Sequence, residues 1–144
     1  MNFYSESFES QQCLAPMAVM SIFLVIDPDP DSQEAWVRLG DSCGVEIVVA
    51  GKLSEGISLS TQQSVDLIVV DLFLPQKSGF SLISEITSKE GHPPIIATFS
   101  ADQAPKFNIK RFAHLLGASY AFEKPLNPAQ FLQACRELVI SFPT

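Results

Sequence analysis

Cysteine and histidine are scarce, at three and two residues in a chain of 144. Cys13, Cys43 and Cys135 are odd in number and lack CxxC or other metal-like spacing. This argues against a zinc motif or disulfide framework and fits inert thiols in a reducing, cytoplasmic compartment. His92 and His114 have no partner at ligand spacing and read as ordinary loop and helix residues. Basic residues are few as well: nine Lys and Arg stand against 16 Asp and Glu, for a net charge of -7. Phosphate contacts need clustered cations, so nucleic acid is excluded as a direct ligand. Residues 1–20 have no basic n-region, which speaks against a signal peptide. The apolar stretch from Leu14 to Ile26 is too short to cross a bilayer and contains Pro16. Neither an internal repeat nor a low-complexity segment is present, apart from a mild polar bias around Ser58 to Ser64.

Hydrophobic residues make up 47% of the chain, enough for one domain with a real core. The polar leader 1–20 reads as an extension and 21–144 as the domain. Ile22 to Ile26 is an unbroken apolar run ending in turn residues, the pattern of a strand covered on both faces. VEIVVA (Val45 to Ala50), DLIVV (Asp66 to Val70), PIIATF (Pro94 to Phe99) and the shorter SYAF (Ser119 to Phe122) repeat it. Helical spacing lies between them: Ala35, Trp36, Leu39 and Cys43; Phe80, Ile83 and Thr87 with Leu82 and Ile86; Ile109, Phe112, Ala113 and Leu116. A last set is Phe131, Leu132, Cys135, Leu138 and Val139. The helix around Leu53 to Gln63 is the weakest, diluted by Gly56 and a polar tail. Asp31 with Glu34 resembles a capping box, and Asn127-Pro128 reads as an N-cap followed by a first-turn proline. Strands alternating with helices imply a parallel sheet in a flavodoxin-like, doubly wound (βα)5 domain with strand order 2-1-3-4-5. Its functional crevice lies beyond the carboxyl ends of the strands.

The residues at those ends are Asp27, Asp71, Ser100 and Lys124. Taken singly, a strand-end Asp is a cap, Ser a turn former and Lys a solvated charge. Together they place two carboxylates, a hydroxyl and an ammonium on one rim. Here DLIVVDLFLPQKSGF, with Asp71, Pro75 and Gly79, PIIATFSA with Ser100, and GASYAFEKP with Lys124-Pro125 resemble the receiver domain of two-component response regulators. The resemblance covers about residues 21 to 142. It implies a stand-alone receiver in which Asp71 accepts a phosphoryl group from a histidine kinase or phosphotransfer protein. Lys124 then neutralises moving charge, Ser100 hydrogen-bonds the phosphoryl oxygen, and Mg2+ is held by Asp27, Asp71 and the backbone carbonyl of Phe73. It also implies a cis Lys124-Pro125 bond that turns the lysine inward, self-modification rather than turnover catalysis, and docking to an unidentified protein target. The docking face, helix four, strand five and helix five with Lys106, Lys110 and Arg111, serves a monomer or a weak dimer. Truncation of Lys124, at a rim, is expected to leave the fold intact.

Two departures qualify the resemblance. Receivers usually carry two adjacent acids after the first strand, whereas this chain has Asp27-Pro28. Proline supplies no ligand, so Asp29 or water fills the gap, with N-terminal capping as Asp29's rival role. The family's inward-swinging aromatic is replaced by Ala121, and Tyr120 and Phe122 point to the opposite face. Pro28 keeps open a degenerate, unphosphorylated receiver that acts as a binding module. FLVIDPDPD also resembles the DxDx(T/V) motif of haloacid-dehalogenase-type phosphatases, with Asp27 as nucleophile and Asp29 as acid/base. Asp31 stands where that motif wants Thr or Val, and no acidic pair follows Lys124. A flavin site is disfavoured because the first loop has no Ser/Thr/Gly-rich phosphate cradle.

Overall fold

A computed structural model describes residues 21–62, 64–74, 78–103, 108–138 and 140. The leader 1–20 with Cys13, and Gln63, Pro75, Lys106 and Val139, lie outside the described residues. Among these residues, five strands, β1 (Ile22–Ile26), β2 (Glu46–Ala50), β3 (Leu67–Asp71), β4 (Ile95–Ser100) and β5 (Tyr120–Lys124), alternate with five α-helices. These are α1 (Pro30–Cys43), α2 (Leu53–Gln62), α3 (Gly79–Thr87), α4 (Ile109–Leu116) and α5 (Pro128–Glu137). Every strand pair is parallel and the order is β2-β1-β3-β4-β5, so the expected flavodoxin-like (βα)5 topology is observed.

Alternation along each strand splits the core in two. Leu24, Ile26, Ile68, Val70, Ile95 and Ala97 face one side and pack with Leu82, Ile83 and Ile86 of α3 and Ile109 and Ala113 of α4. Phe23, Val25, Leu67, Val69 and Ile96 face the other and meet Trp36 of α1 and Phe131, Ala134 and Cys135 of α5. Trp36 is a core residue, with its ring edge-on to Phe131 at 5.0 Å. Cys135 is buried, and burial pushes its thiol up to about 12, so it is inert as expected.

The start of α1 differs from the capping box read at Asp31 and Glu34. Asp29 is the N-cap, accepting from the Asp31 N–H at 3.2 Å, and Pro30 opens the helix. Proline's fixed φ suits the first helical position, which moves the cap two residues back. Glu34 instead pairs with Arg38 at 3.4 Å. Asn127 caps α5 as anticipated, accepting from Gln130 N–H at 3.1 Å. Phe112, read as part of the buried face of α4, is 42% exposed. α4 has only eight residues, and Ile109 and Ala113 make its contact with the sheet, leaving Phe112 to stack edge-on against Phe80 at 4.9 Å.

Candidate functional site

The same alternation positions the site. Phe23 and Val25, Leu67 and Val69, Ile96, and Tyr120 and Phe122 all belong to the α1/α5 side. Counting on by twos places Asp27, Asp71, Thr98, Ser100 and Lys124 on that side at the carboxyl end of the sheet. Asp27 and Asp71 are buried, at 1% and 4% exposure.

The Lys124 ammonium bridges both acids, donating to Asp71 Oδ2 at 2.6 Å and to Asp27 Oδ2 at 2.7 Å. The other oxygens are also engaged. Asp27 Oδ1 accepts the Asp29 N–H at 2.9 Å, and Asp71 Oδ1 accepts the Phe73 N–H at 2.7 Å. Burial by itself lowers the pKa of Lys124, but the hydrogen bonds to Asp27 and Asp71 outweigh it, and the net shift is upward. Lys124 therefore carries a full positive charge at neutral pH. The Lys124–Pro125 peptide bond is cis.

Ser100 ends β4 in register with Lys124, while Thr98 is the residue paired with Asp71. Thr98 is 1% exposed, and its hydroxyl has no hydrogen-bond partner among the described residues. Asp29 is exposed, with its Oδ1 committed to the cap of α1. Ala121 packs on the α3/α4 side, and Tyr120 and Phe122 stack at 5.9 Å on the α1/α5 side, as their alternation required.

Gly79 supports Asp71 from beneath. A Cβ built there would stand 2.4 Å from the Asp71 carbonyl oxygen and 2.9 Å from Leu72 Cα, both backbone atoms that cannot give way locally. The close approach lets the Gly79 N–H bond Leu72 O at 3.1 Å. Gly79→Ala is expected to cost about 2 kcal/mol through overpacking, read from the denaturant midpoint, and to shift the Asp71 amide resonance.

Two converging buried carboxylates are a donor set suited to a hard, oxygen-seeking cation. Among the described residues no group of three or more His, Cys, Asp or Glu side chains is arranged around a metal position.

A family model described as the response regulator receiver domain matches residues 23–136. The chain belongs to the response regulator receiver domain family. Receiver crystal structures share its architecture. That of a receiver domain protein from Clostridium thermocellum superposes with a TM-score of 0.72 at 22% identity, covering 83% of this chain and 94% of that one. A Burkholderia pseudomallei response regulator, described with a phosphorylated aspartic acid, calcium ion and citrate, gives 0.70 at 25% identity, covering 79% and 65%. Among sequences, an uncharacterized 14.6 kDa protein of Leptolyngbya boryana is 27% identical over 135 residues, 92% of this receiver and 97% of that protein. A rice two-component response regulator, EHD1, is 32% identical over 81 residues, 55% of this receiver but only 24% of the regulator. Membership in the receiver family displaces the phosphatase reading, in which Asp29 needed a catalytic proton rather than a helix cap. Among the described residues no helix is long and apolar enough to cross a membrane.

Proposed function

We propose that the protein is a phosphoacceptor receiver, with Asp71 taking a phosphoryl group from the phosphohistidine of a kinase or histidine phosphotransfer protein and the modified domain docking to a protein target. The observation that carries this reading is the Lys124 ammonium held between the two buried carboxylates, at 2.6 Å from Asp71 and 2.7 Å from Asp27. In the transfer, an Asp71 oxygen forms a bond to phosphorus while the P–N bond breaks, and the departing imidazole keeps the electron pair and takes up a proton. Lys124 lies where it can follow the negative charge onto the new acyl phosphate, and Ser100 is assigned the hydrogen bond to a phosphoryl oxygen. Asp27, Asp71 and the Phe73 carbonyl are assigned a magnesium ion, which when bound supplies further neutralisation of the phosphoryl oxygens. The phosphorylated aspartic acid and calcium ion of the Burkholderia relative support both assignments.

The output face is assigned to α4, β5 and α5. Lys110 and Arg111 are exposed there, beside Phe112 and Leu115 at 42% and 69% exposure. A mixed basic and apolar patch suits an acidic protein partner or weak self-association.

The degenerate-module reading is favoured by one observation: each site carboxylate has both oxygens bonded within the protein. Incubation with acetyl phosphate and magnesium separates the two readings. The intact mass should gain one phosphoryl group, and Asp71→Asn should gain none. A wild type that stays unlabelled, with native fold, would establish the module instead.

A further inference from the structure

The turn between β1 and α1 is short of hydrogen-bond donors. Of residues 27–31, two are prolines, which carry no backbone N–H. The three N–H groups that remain are committed: Asp27 to Ala50 O at 2.9 Å, Asp29 to Asp27 Oδ1 at 2.9 Å and Asp31 to Asp29 Oδ1 at 3.2 Å. None of them is left for the carbonyl of Asp27, a residue only 1% exposed. A buried carbonyl without a donor is costly. Gln33, one turn into α1, supplies the donor from its side chain, with Nε2 at 2.6 Å from Asp27 O. Its own N–H bonds Asp29 O at 2.9 Å, so the side chain reaches back from a fixed point on the helix.

This contact holds the torsion that the prolines leave open. Pro28 sets its own φ and restricts ψ of Asp27 to the extended region, but it does not fix the plane of the peptide that joins them. A donor on the carbonyl oxygen does. With that plane set, the Asp29 N–H meets Asp27 Oδ1, and Oδ2 is left facing the Lys124 ammonium at 2.7 Å.

We propose that Gln33 is a positioning residue for the acidic site, holding the Asp27 carbonyl so that the Asp27 carboxylate is aimed at Lys124 and at the assigned magnesium. The magnesium part rests on the phosphoacceptor reading, whereas the aim of the carboxylate does not. Groups that orient a metal's carboxylate ligands typically change affinity by about 10–100-fold when removed. Here Pro28 supplies no carboxylate of its own, so the orientation of Asp27 carries more of the binding.

Two variants separate the donated hydrogen bond from bulk and from charge. Gln33→Glu keeps the shape but loses the donor, and Gln33→Leu loses the donor without adding a charge. Gln33 is half-buried, so both should fold, with the indole signal of Trp36, the only tryptophan, as the check. In the metal-free, 15N,13C-labelled full chain, three-bond couplings to Asp27 Cγ report its χ1 angle. The wild type should show one staggered rotamer, and both variants should show averaging. The Asp29 N–H should exchange with solvent about tenfold faster in the variants, while the Asp31 N–H keeps its rate. Calorimetric titration should find magnesium bound about tenfold more weakly by Gln33→Leu than by the wild type. A role confined to stability would lower Tm and move none of these readouts. A single Asp27 rotamer retained in both variants would overturn the proposal, as would wild-type magnesium affinity in Gln33→Leu. A wild type that binds no magnesium refutes the cation assignment instead, and the rotamer and exchange results then decide the role of Gln33 by themselves.

Discussion

Lys124→Ala is expected to destabilise the protein by about 3 kcal/mol, because it leaves Asp27 and Asp71 buried and facing each other without a countercharge. The figure sits at the low end for breaking a buried pair because the lysine side chain is 16% exposed and water can partly replace the ammonium. This revises the expectation from sequence, in which a rim lysine could be truncated with the fold intact. Adding Asp71→Asn to the variant should recover about half of the loss, since one of the two repelling charges is removed. The pH dependence has a defined sign. Because the folded-state pKa of Lys124 is raised above its ordinary 10.5, its contribution is complete below that value and fades as pH climbs through the higher folded value. The gap in unfolding free energy between wild type and Lys124→Ala should thus be constant from about pH 7 to 10 and narrow above it. A gap that is absent at pH 7 would show that the ammonium does not compensate the acids in solution.

Pro28→Asp is expected to tighten magnesium binding and to speed labelling by acetyl phosphate by ~10-fold, equivalent to ~1.4 kcal/mol in the barrier. The loop already holds its shape through contacts that do not involve the proline ring. Asp27 O accepts from Gln33 Nε2 at 2.6 Å, and the Asp27 N–H bonds Ala50 O at 2.9 Å. A carboxylate at position 28 would add the anionic oxygen that the cation lacks. The substitution should cost about 1 kcal/mol of metal-free stability through a third clustered charge and the loss of a fixed φ. Calorimetric titration with magnesium reads the affinity. If Pro28→Asp changes nothing and Asp29→Asn abolishes binding, Asp29 leaves its capping role to serve as the second acid. If the wild type and Pro28→Asp both fail to bind magnesium, the cation assignment is wrong.

What could be read from the residues was whatever repeats locally. Strand runs ending at Asp27, Asp71, Ser100 and Lys124 carry a period of two and a stop, so the topology and the rim were both legible. The same period told Ala121 from its aromatic neighbours. Partners distant in sequence were not legible. Lys124 lies 97 residues from Asp27 and 53 from Asp71, and no local pattern says that one ammonium serves both. Gly56 read as a weakness in α2, yet a Cβ there would stand 2.4 Å from Ile26 Cδ1, so the glycine is what lets the helix lie against β1. The cap at Asp29 was masked by three alternating aspartates, any of which could start a helix, and Pro30 settled the choice. Thr98 lies within an apolar strand run, and only the three-dimensional surroundings reveal that its hydroxyl has no partner among the described residues.

Asp71 as the reacting carboxylate is tested most directly by locating the phosphoryl group itself. The protein is incubated with acetyl phosphate and magnesium, the acyl phosphate is trapped with borohydride, and peptides are sequenced by tandem mass spectrometry. The reduced residue should be Asp71 alone, with Asp27 and Asp29 unmodified. Reduction at Asp27, or a phosphoryl group that survives as an ester on Ser100, would contradict the assignment.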